Sequence, residues 1–367
     1  MLIGALDTQA IIPERYGRRI VRALVLSNML PDAAHPERGS FVRDQVAALR
    51  ELEELEIELY EFPPGGRALV QAARELRRRF AAGQRRFASG RQRLAGGQQH
   101  FDVVHAHFGL TAWPALAVPA RVRALTVHGT DVLHPRTRQA TRAVAPLIDL
   151  LAAVSASLAH ELPGRAARRR AQVLPCGVDL ERFHPLSRTS ARAQLGLDPE
   201  RPYLLFAADP ARPEKRHDRA LALAQATGVE LLTLGAVAPA LVPLWVNAAN
   251  AVLVPSEREG FGLAVLEALA CDVPVLATPV GVHPEALAHV AGSLCAPFEL
   301  ARWRAALEPH LDTPDPRVAG SAAAARFSSR RMAERVAGAW RAELENVASP
   351  TNQPRNRERP RERGREL

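Results

Sequence analysis

Short apolar runs recur along this chain, and between them apolar residues return every three or four positions. Val21-Arg-Ala-Leu-Val-Leu-Ser27 reads as a buried parallel strand. A loop from Asn28 to Ser40, rich in Pro, Asp, His and Gly, leads into Phe41 to Leu55, whose apolar residues fall at helical spacing. Leu55-Glu-Ile-Glu-Leu-Tyr60 alternates like a second strand, and a long arginine-rich helical segment follows it. Further apolar runs then come at Val103-Val104, Ala124 to Val127, Leu150 to Val154 and Gln172 to Leu174. Strands alternating with helices predict a parallel sheet with right-handed crossovers.

The alternation pauses near Pro185. Ser187 to Pro202 is polar and proline-bearing, with a short helical stretch at Ala191 to Leu195. A second series then begins: Tyr203 to Phe206, Val229 to Leu234, Ala251 to Val254, Val273 to Thr278 and a weak run at Ser293 to Cys295. The pattern predicts an α/β chain with two doubly wound parallel-sheet domains in tandem, residues 21–185 and 186–325, facing each other across a cleft. Open α/β sheets bind ligands outside the carboxyl ends of their strands. Residues 1–20 read as a flexible leader, without the apolar core of a signal peptide. Residues 347–367 read as a disordered basic tail, because Arg there alternates with Glu, Pro and Gly and apolar side chains are lacking.

Composition adds three constraints. A length of 367 residues fits two domains. Cys176, Cys271 and Cys295 are odd in number, far apart and outside any zinc spacing. No run approaches the roughly 18 apolar residues of a membrane-spanning helix. The expected location is therefore cytoplasmic. The formal charge is +9, and nine arginines against one acid fall between Arg67 and Arg93. Such a face meets solvent first of all, and an anionic membrane second. The expected location thus extends to a peripheral position at the inner face of the plasma membrane. No nucleic acid is expected as a partner, since no binding signature or aromatic interleaving accompanies the arginines.

One lysine, Lys215, stands among 48 Lys and Arg residues. A chain that writes arginine for almost every cation and keeps one ammonium places a compact point charge where a planar guanidinium does not serve equally well. Lys215 lies in the loop after Tyr203 to Phe206, where open α/β sheets hold phosphate. Chance survival of one surface lysine is the competing reading.

The most specific segment is Val254-Pro-Ser-Glu-Arg-Glu-Gly-Phe-Gly-Leu-Ala-Val-Leu-Glu-Ala-Leu-Ala-Cys-Asp-Val-Pro-Val-Leu-Ala-Thr278. A strand ends near Pro255, and a helix starts near Leu263 and ends by Asp272. Gly260 and Gly262 would let backbone N–H groups approach a phosphate at the helix N-terminus. A glycine-bearing β-to-α turn without a ligand is the plain alternative. Glu259 and Glu267 are eight residues apart. On one helix they would stand roughly 12 Å apart, beyond the ~5–9.5 Å of glycosidase carboxylate pairs. Two carboxylates reading two parts of one long ligand fit better.

Glu259-Gly-Phe-Gly with Glu267 resembles the Glu-x7-Glu motif of retaining GT-B glycosyltransferases, notably glycosyltransferase family 4, and the similarity runs from about Arg22 to Trp340. The resemblance implies two Rossmann-like domains, an N-terminal acceptor side and a C-terminal nucleotide-sugar side. It implies that Glu267 binds the nucleotide ribose, Glu259 the donor sugar, and Arg212 with Lys215 the diphosphate. Phe261 and Leu263 belong to the same donor-binding turn. Gly281, in Thr278-Pro-Val-Gly-Val-His-Pro-Glu285, matches the turn near the nucleotide base. Gly39-Ser-Phe-Val-Arg-Asp-Gln-Val-Ala-Ala-Leu49 resembles the loop that closes over the diphosphate. Leu125-Thr-Val-His-Gly-Thr-Asp131 resembles the His-Gly-Ser/Thr-Asp motif, which gives His128 to the donor sugar and Asp131 to the loop or the acceptor. His107 is placed on the acceptor side. Phe327 to Trp340 resembles a closing helix, assigned to residues 326–346, that crosses back onto the first domain.

Two departures stand out. Pro175-Cys-Gly-Val-Asp179 has cysteine where the family has asparagine, so a polar role at 176 is in doubt. The second domain also looks one βα unit short between Gly235 and Ala249. The implied activity is retaining transfer from a nucleoside-diphosphate sugar to a hydroxyl of a glycan or lipid-linked acceptor, in cell-surface synthesis. No metal and no cofactor are expected. A sugar-nucleotide epimerase and a non-catalytic scaffold on the same fold are the alternatives.

Overall fold

A computed structural model describes residues 20–33, 35, 37–81, 101–235 and 237–349. The expected leader, the arginines beyond residue 81 and nearly all of the expected tail lie outside the described residues.

The first sheet has six parallel strands: β1 (Val21–Ser27), β2 (Leu55–Glu61), β3 (Phe101–His107), β4 (Ala120–Val127), β5 (Leu150–Ala153) and β6 (Gln172–Val173). Their spatial order is β2-β1-β3-β4-β5-β6. The second sheet has β7 (Tyr203–Phe206), β8 (Glu230–Thr233), β9 (Ala251–Val254), β10 (Val275–Ala277) and β11 (Leu294–Cys295), in the order β11-β10-β9-β7-β8. Every named pair is parallel. Central strands β3, β5, β7 and β9 are buried along their whole length between helical layers; β5, β7 and β9 are apolar or aromatic throughout, whereas β3 also buries Asp102, His105 and His107.

The chain order reverses between β1 and β3 in the first sheet and between β7 and β9 in the second. Those two switch points are where crossovers leave to opposite faces and open a crevice at the strand ends. The loops that carry Arg212, Lys215 and Glu259 follow β7 and β9. The loop that carries Gly39 follows β1.

Some boundaries differ from the pattern. The helix expected over 41–55 ends at Arg50, and Glu51 to Glu54 form a turn. Its last expected apolar residue, Leu55, opens β2 and lies under the sheet instead. Strand β10 starts after Pro274, which has no N–H to give to a ladder. Between β8 and β9 the crossover is a short helix, Val242–Ala248.

The C-terminal helix Ser329–Ala348 buries Met332, Ala333, Val336, Ala337, Trp340 and Leu344 in the cluster that also holds Val21, Val25, Val103 and Leu150 of the first sheet. It thus starts at the second domain and docks on the first. The two chain crossings between domains are joined: Val178 donates to the Phe327 carbonyl (2.8 Å), and Ser329 donates to the Val178 carbonyl (2.9 Å). Cys176 lies in the hydrophobic cluster with Val178 and Phe183, and burial pushes its thiol up to about 12. A buried neutral thiol there fills space, so the cysteine makes no polar contribution where asparagine was expected.

Candidate active site

The segment Pro255 to Gly262 leaves β9 and enters the helix Leu263–Ala270 through Gly262, which has φ 104°. No side chain caps that helix. Its first amides thus have no side-chain partner, at the positive end of the macrodipole. Phe261 is buried beneath the turn, edge-on to Phe327 at 6.3 Å. Gly281 sets its backbone against the Phe261 carbonyl and the Glu259 side chain. Leu263 is half-buried at the first helical position.

Lys215 ends a short 3-10 turn, Pro213–Lys215, and its Nζ lies 2.6 and 2.7 Å from the two carboxylate oxygens of Glu259. Ser256 donates to Glu259 Oε1 at 2.7 Å. Burial alone would raise the Glu259 carboxyl, but the Lys215 charge and the hydrogen bonds from Lys215 and Ser256 hold it below the usual carboxylate range. The two residues were expected on different parts of a donor, and in the structure they pair with each other. Arg212 is half exposed and pairs with Glu214.

Glu267 projects from the same helix towards three charges. Burial pushes its carboxyl up to about 7, Arg182 and Lys215 pull it down, and Asp44 pushes it further up. Asp44 and Arg182 form a two-pronged ion pair at 3.1 and 2.7 Å. Glu267 therefore sits at the seam between Asp44 of the first domain and Lys215 of the second. Gly39, in left-handed backbone at φ 71°, precedes the helix Ser40–Arg50 that carries Asp44.

On the facing side, His128 directly follows β4. Its ring lies 4.9 Å from that of Phe41 and 4.7 Å from that of Phe108. His128 Nε2 is 2.9 Å from His107 Nδ1, and burial pushes His128 down to about 3. His107 is fully buried against His128, His105 and Gln45, away from the open cleft where it was expected to meet an acceptor. The Asp131 carboxylate accepts from the amides of His128, Gly129 and Gly109, and burial outweighs these bonds to push it up to about 6. Its oxygens shape the turn that presents His128, and Thr141 donates to its carbonyl.

The two faces meet. A Cβ on Gly260 would stand 1.8 Å from the His128 carbonyl oxygen, so only glycine permits this approach. Ser155, after β5, donates to the Gly260 carbonyl at 2.8 Å. Beside this contact lies a cavity of about 390 Å³ lined by His128, Thr130, His134, Arg212, Arg258 and Glu259. No three His, Cys, Asp or Glu side chains are grouped to hold a metal ion among the described residues.

Sequence reasoning passed over Ser155, Ser256, Asp44 and Arg182. Ser256 and Asp44 lie inside the quoted motifs, but nothing local marks Ser155 or Arg182. Both act through partners more than 100 residues away.

Residues 14–182 match the pattern of Glycosyltransferase Family 4, and residues 202–326 that of Glycosyl transferases group 1. A D-inositol 3-phosphate glycosyltransferase of Segniliparus rotundus is 31% identical, over 67% of this chain and 67% of its own. The chain belongs to glycosyltransferase family 4. Solved structures bear out the GT-B fold of this glycosyltransferase. Sucrose-phosphate synthase from Thermosynechococcus elongatus aligns with TM-score 0.62 and 18% identity, over 90% of this chain and all of that one. Anabaena HepE in complex with UDP-glucose aligns with TM-score 0.58 and 18% identity, over 88% of this chain and 99% of that one.

Proposed function

We propose that this glycosyltransferase moves a sugar from a nucleoside-diphosphate sugar to an acceptor hydroxyl with retention at the anomeric carbon and without a metal ion. The observation that carries the reading is the Lys215–Glu259 pair at the open N-terminus of the helix Leu263–Ala270. An arriving diphosphate competes for Lys215 and is met by the helix amides and Arg212. Glu259, still held by Ser256, is then free to accept hydrogen bonds from sugar hydroxyls. The partly desolvated Glu267 carboxylate accepts from a ribose diol. The UDP-glucose bound by Anabaena HepE on the same fold supports this class of donor.

In the transfer, the bond from the anomeric carbon to the β-phosphate oxygen breaks and a bond to the acceptor oxygen forms on the same face. The acceptor proton passes to the leaving diphosphate. Lys215, Arg212 and the helix amides stabilise the charge that grows there, which is electrostatic catalysis at its simplest. The Gly260–His128 contact and the Ser155 bond close the cleft against water.

The acceptor we place in cell-surface glycan or glycolipid synthesis, at the cytoplasmic face of the membrane. Helix Gly66–Ala81 exposes Arg74, Arg77, Arg78 and the apolar Val70, and each arginine near an anionic surface gains about 1 kcal/mol. Among the described residues no helix is long and apolar enough to cross a membrane. A small anionic polyol is a second acceptor reading. It is favoured by Arg258 in the cavity wall, which pairs with no carboxylate among the described residues, and by the D-inositol 3-phosphate in the name of the Segniliparus relative.

Thermal-shift screening against UDP-, GDP- and ADP-sugars tests the donor, because a ligand bound only by the native state raises its melting temperature. Diphosphate release that requires an acceptor, with the anomeric configuration read by NMR, tests the reaction. Donor hydrolysis indifferent to any acceptor would overturn it. Vesicle co-sedimentation of Arg77→Gln with Arg78→Gln, at low and high salt, tests the membrane contact.

A further inference from the structure

The two walls of the cleft touch through bare backbone. Gly260 lies against the His128 carbonyl oxygen, and a Cβ on Gly129 would come within 3.4 Å of the Gly260 Cα. Gly129 has φ 132°, a conformation that side-chain-bearing residues rarely adopt. Such a contact has no side chains to hold it together. One polar bond spans it. Ser155 Oγ, buried just after β5, lies 2.8 Å from the Gly260 carbonyl oxygen. Among the described residues no other hydrogen bond joins the first domain to residues 255–262.

The partners of that hydroxyl fix its roles. A carbonyl can only accept, so the single Ser155 proton points to Gly260. A backbone amide can only donate, so a Ser155 lone pair receives Leu158 N–H at 3.3 Å and caps the helix Ala156–Glu161. Ser157 is exposed, and its Oγ lies 3.1 Å from Ser155 Oγ. With the Ser155 proton committed to Gly260, Ser157 is the donor of that pair. The cap uses a lone pair and the cross-cleft bond uses the proton, so the two do not compete. When the walls part, rotation about the Cβ–Oγ bond turns the proton to Ser157 and leaves the cap undisturbed. Neither position strands the hydroxyl.

We infer that the Ser155 hydroxyl is a reversible latch between the two domains, closed on Gly260 and released onto Ser157. Ser155 is a positioning residue that acts through the turn it holds, because Glu259 directly precedes Gly260 and is kept opposite His128. That the closed latch retains a nucleotide in the cleft rests on the glycosyltransferase reading; the latch itself does not.

Three substitutions separate the latch from the cap. Aspartate caps a helix as well as serine does, but its carboxylate has no proton to give and repels the Gly260 carbonyl. Alanine loses both functions, and threonine keeps both. The first arm uses ligand-free protein. Small-angle X-ray scattering is expected to show Ser155→Asp and Ser155→Ala more expanded than wild type, and Ser155→Thr as compact. Ser155→Asp should melt above Ser155→Ala, since it keeps the cap. Equal dimensions for Ser155→Asp and wild type would overturn the latch. The second arm follows release of UDP, GDP or ADP by stopped flow. Ser155→Asp is expected to speed release about tenfold, the size of one buried hydrogen bond, with association little changed, and Ser155→Thr to restore slow release. Release unchanged in Ser155→Asp would mean that the latch retains no nucleotide. A wild-type protein that binds none of the three would sink the donor reading, and the scattering would still decide the latch.

Discussion

The two walls of the cleft answer to different chemistry. On the C-terminal wall, Lys215, Glu259, Glu267 and Arg212 stand within one strand-end crevice, each paired or opposed by another charge. On the N-terminal wall, His105 and His107 are buried and His128 is partly buried at the cavity; desolvation holds all three rings neutral, and Trp340, Thr126 and Gln45 adjoin them. A charged wall suits a diphosphate that arrives anionic and leaves more so. A neutral wall of hydrogen-bond donors suits hydroxyls, and it adds no cation that would retain the product. Under the proposed function the same sheet topology would serve both halves of a transfer, with the polarity of the strand-end residues separating the roles.

The sharpest way to break this contrast is to remove charge from the charged wall. Lys215→Ala is expected to lower kcat by about 10²–10³, the cost of losing one preorganised contact to developing negative charge. Its circular dichroism should stay close to wild type, while its melting temperature falls because the buried Glu259 loses its partner. Turnover near wild type would remove the phosphate assignment. Lys215→Arg asks whether the ammonium itself is required.

Next comes the contact between the walls. Gly260→Ala places a methyl group 1.8 Å from the His128 carbonyl oxygen and holds the walls apart. A misplacement of about 1 Å can cost about a hundredfold, and single-turnover rates would show it. Ser155→Ala removes one hydrogen bond across the same gap and should cost about tenfold or less. If Gly260→Ala were as active as wild type, the closed contact would have no part in catalysis.

A smaller effect is expected from pH. The Glu267 carboxyl sits at about 7, above its ordinary value. A group raised on folding favours the protonated native state, so its contribution to stability is present below about 4.3 and lost as pH rises through about 7. Under the proposed ribose role function runs the other way, because a carboxylate is the better acceptor for a diol. Donor KM should rise as pH falls below about 7, and Glu267→Gln should flatten that limb while raising KM about tenfold overall. Asp44→Asn should move the limb to lower pH, since Asp44 pushes Glu267 up. A donor KM insensitive to pH in the wild type would separate Glu267 from the donor. The smallest expected effect is that of excess EDTA, which should leave kcat/KM unchanged if, as proposed, Lys215, Arg212 and the helix amides carry the diphosphate charge. Loss of activity restored by magnesium would transfer that role to a metal.

How much of this was readable in the chain depends on how far apart the partners are. Buried strands such as Val21–Ser27, Tyr203–Phe206 and Ala251–Val254 coincide with their apolar runs, because covering both faces of a strand leaves few polar options. The helix expected over 41–55 overshot Arg50 because Leu52 and Leu55 keep helical spacing while serving a turn and β2. The motif residues Glu259, Glu267, Lys215 and His128 were also visible, since glycine turns and charge at strand ends have local signatures.

Their partnerships were not visible. Lys215 and Glu259 are 44 residues apart, His107 and His128 21, Ser155 and Gly260 105, and His105 and Trp340 235. By itself the sequence determined two parallel-sheet domains, the helix that opens at Leu263, and which residue types stand at the strand ends. Local propensity and burial pattern are enough for that. Only the tertiary structure decided that the lysine holds the glutamate, that His107 faces His128 and not the cleft, and that Gly260 touches the opposite wall. Charge pairing and close approach depend on distances of a few ångströms between separate elements, which no one-dimensional pattern contains.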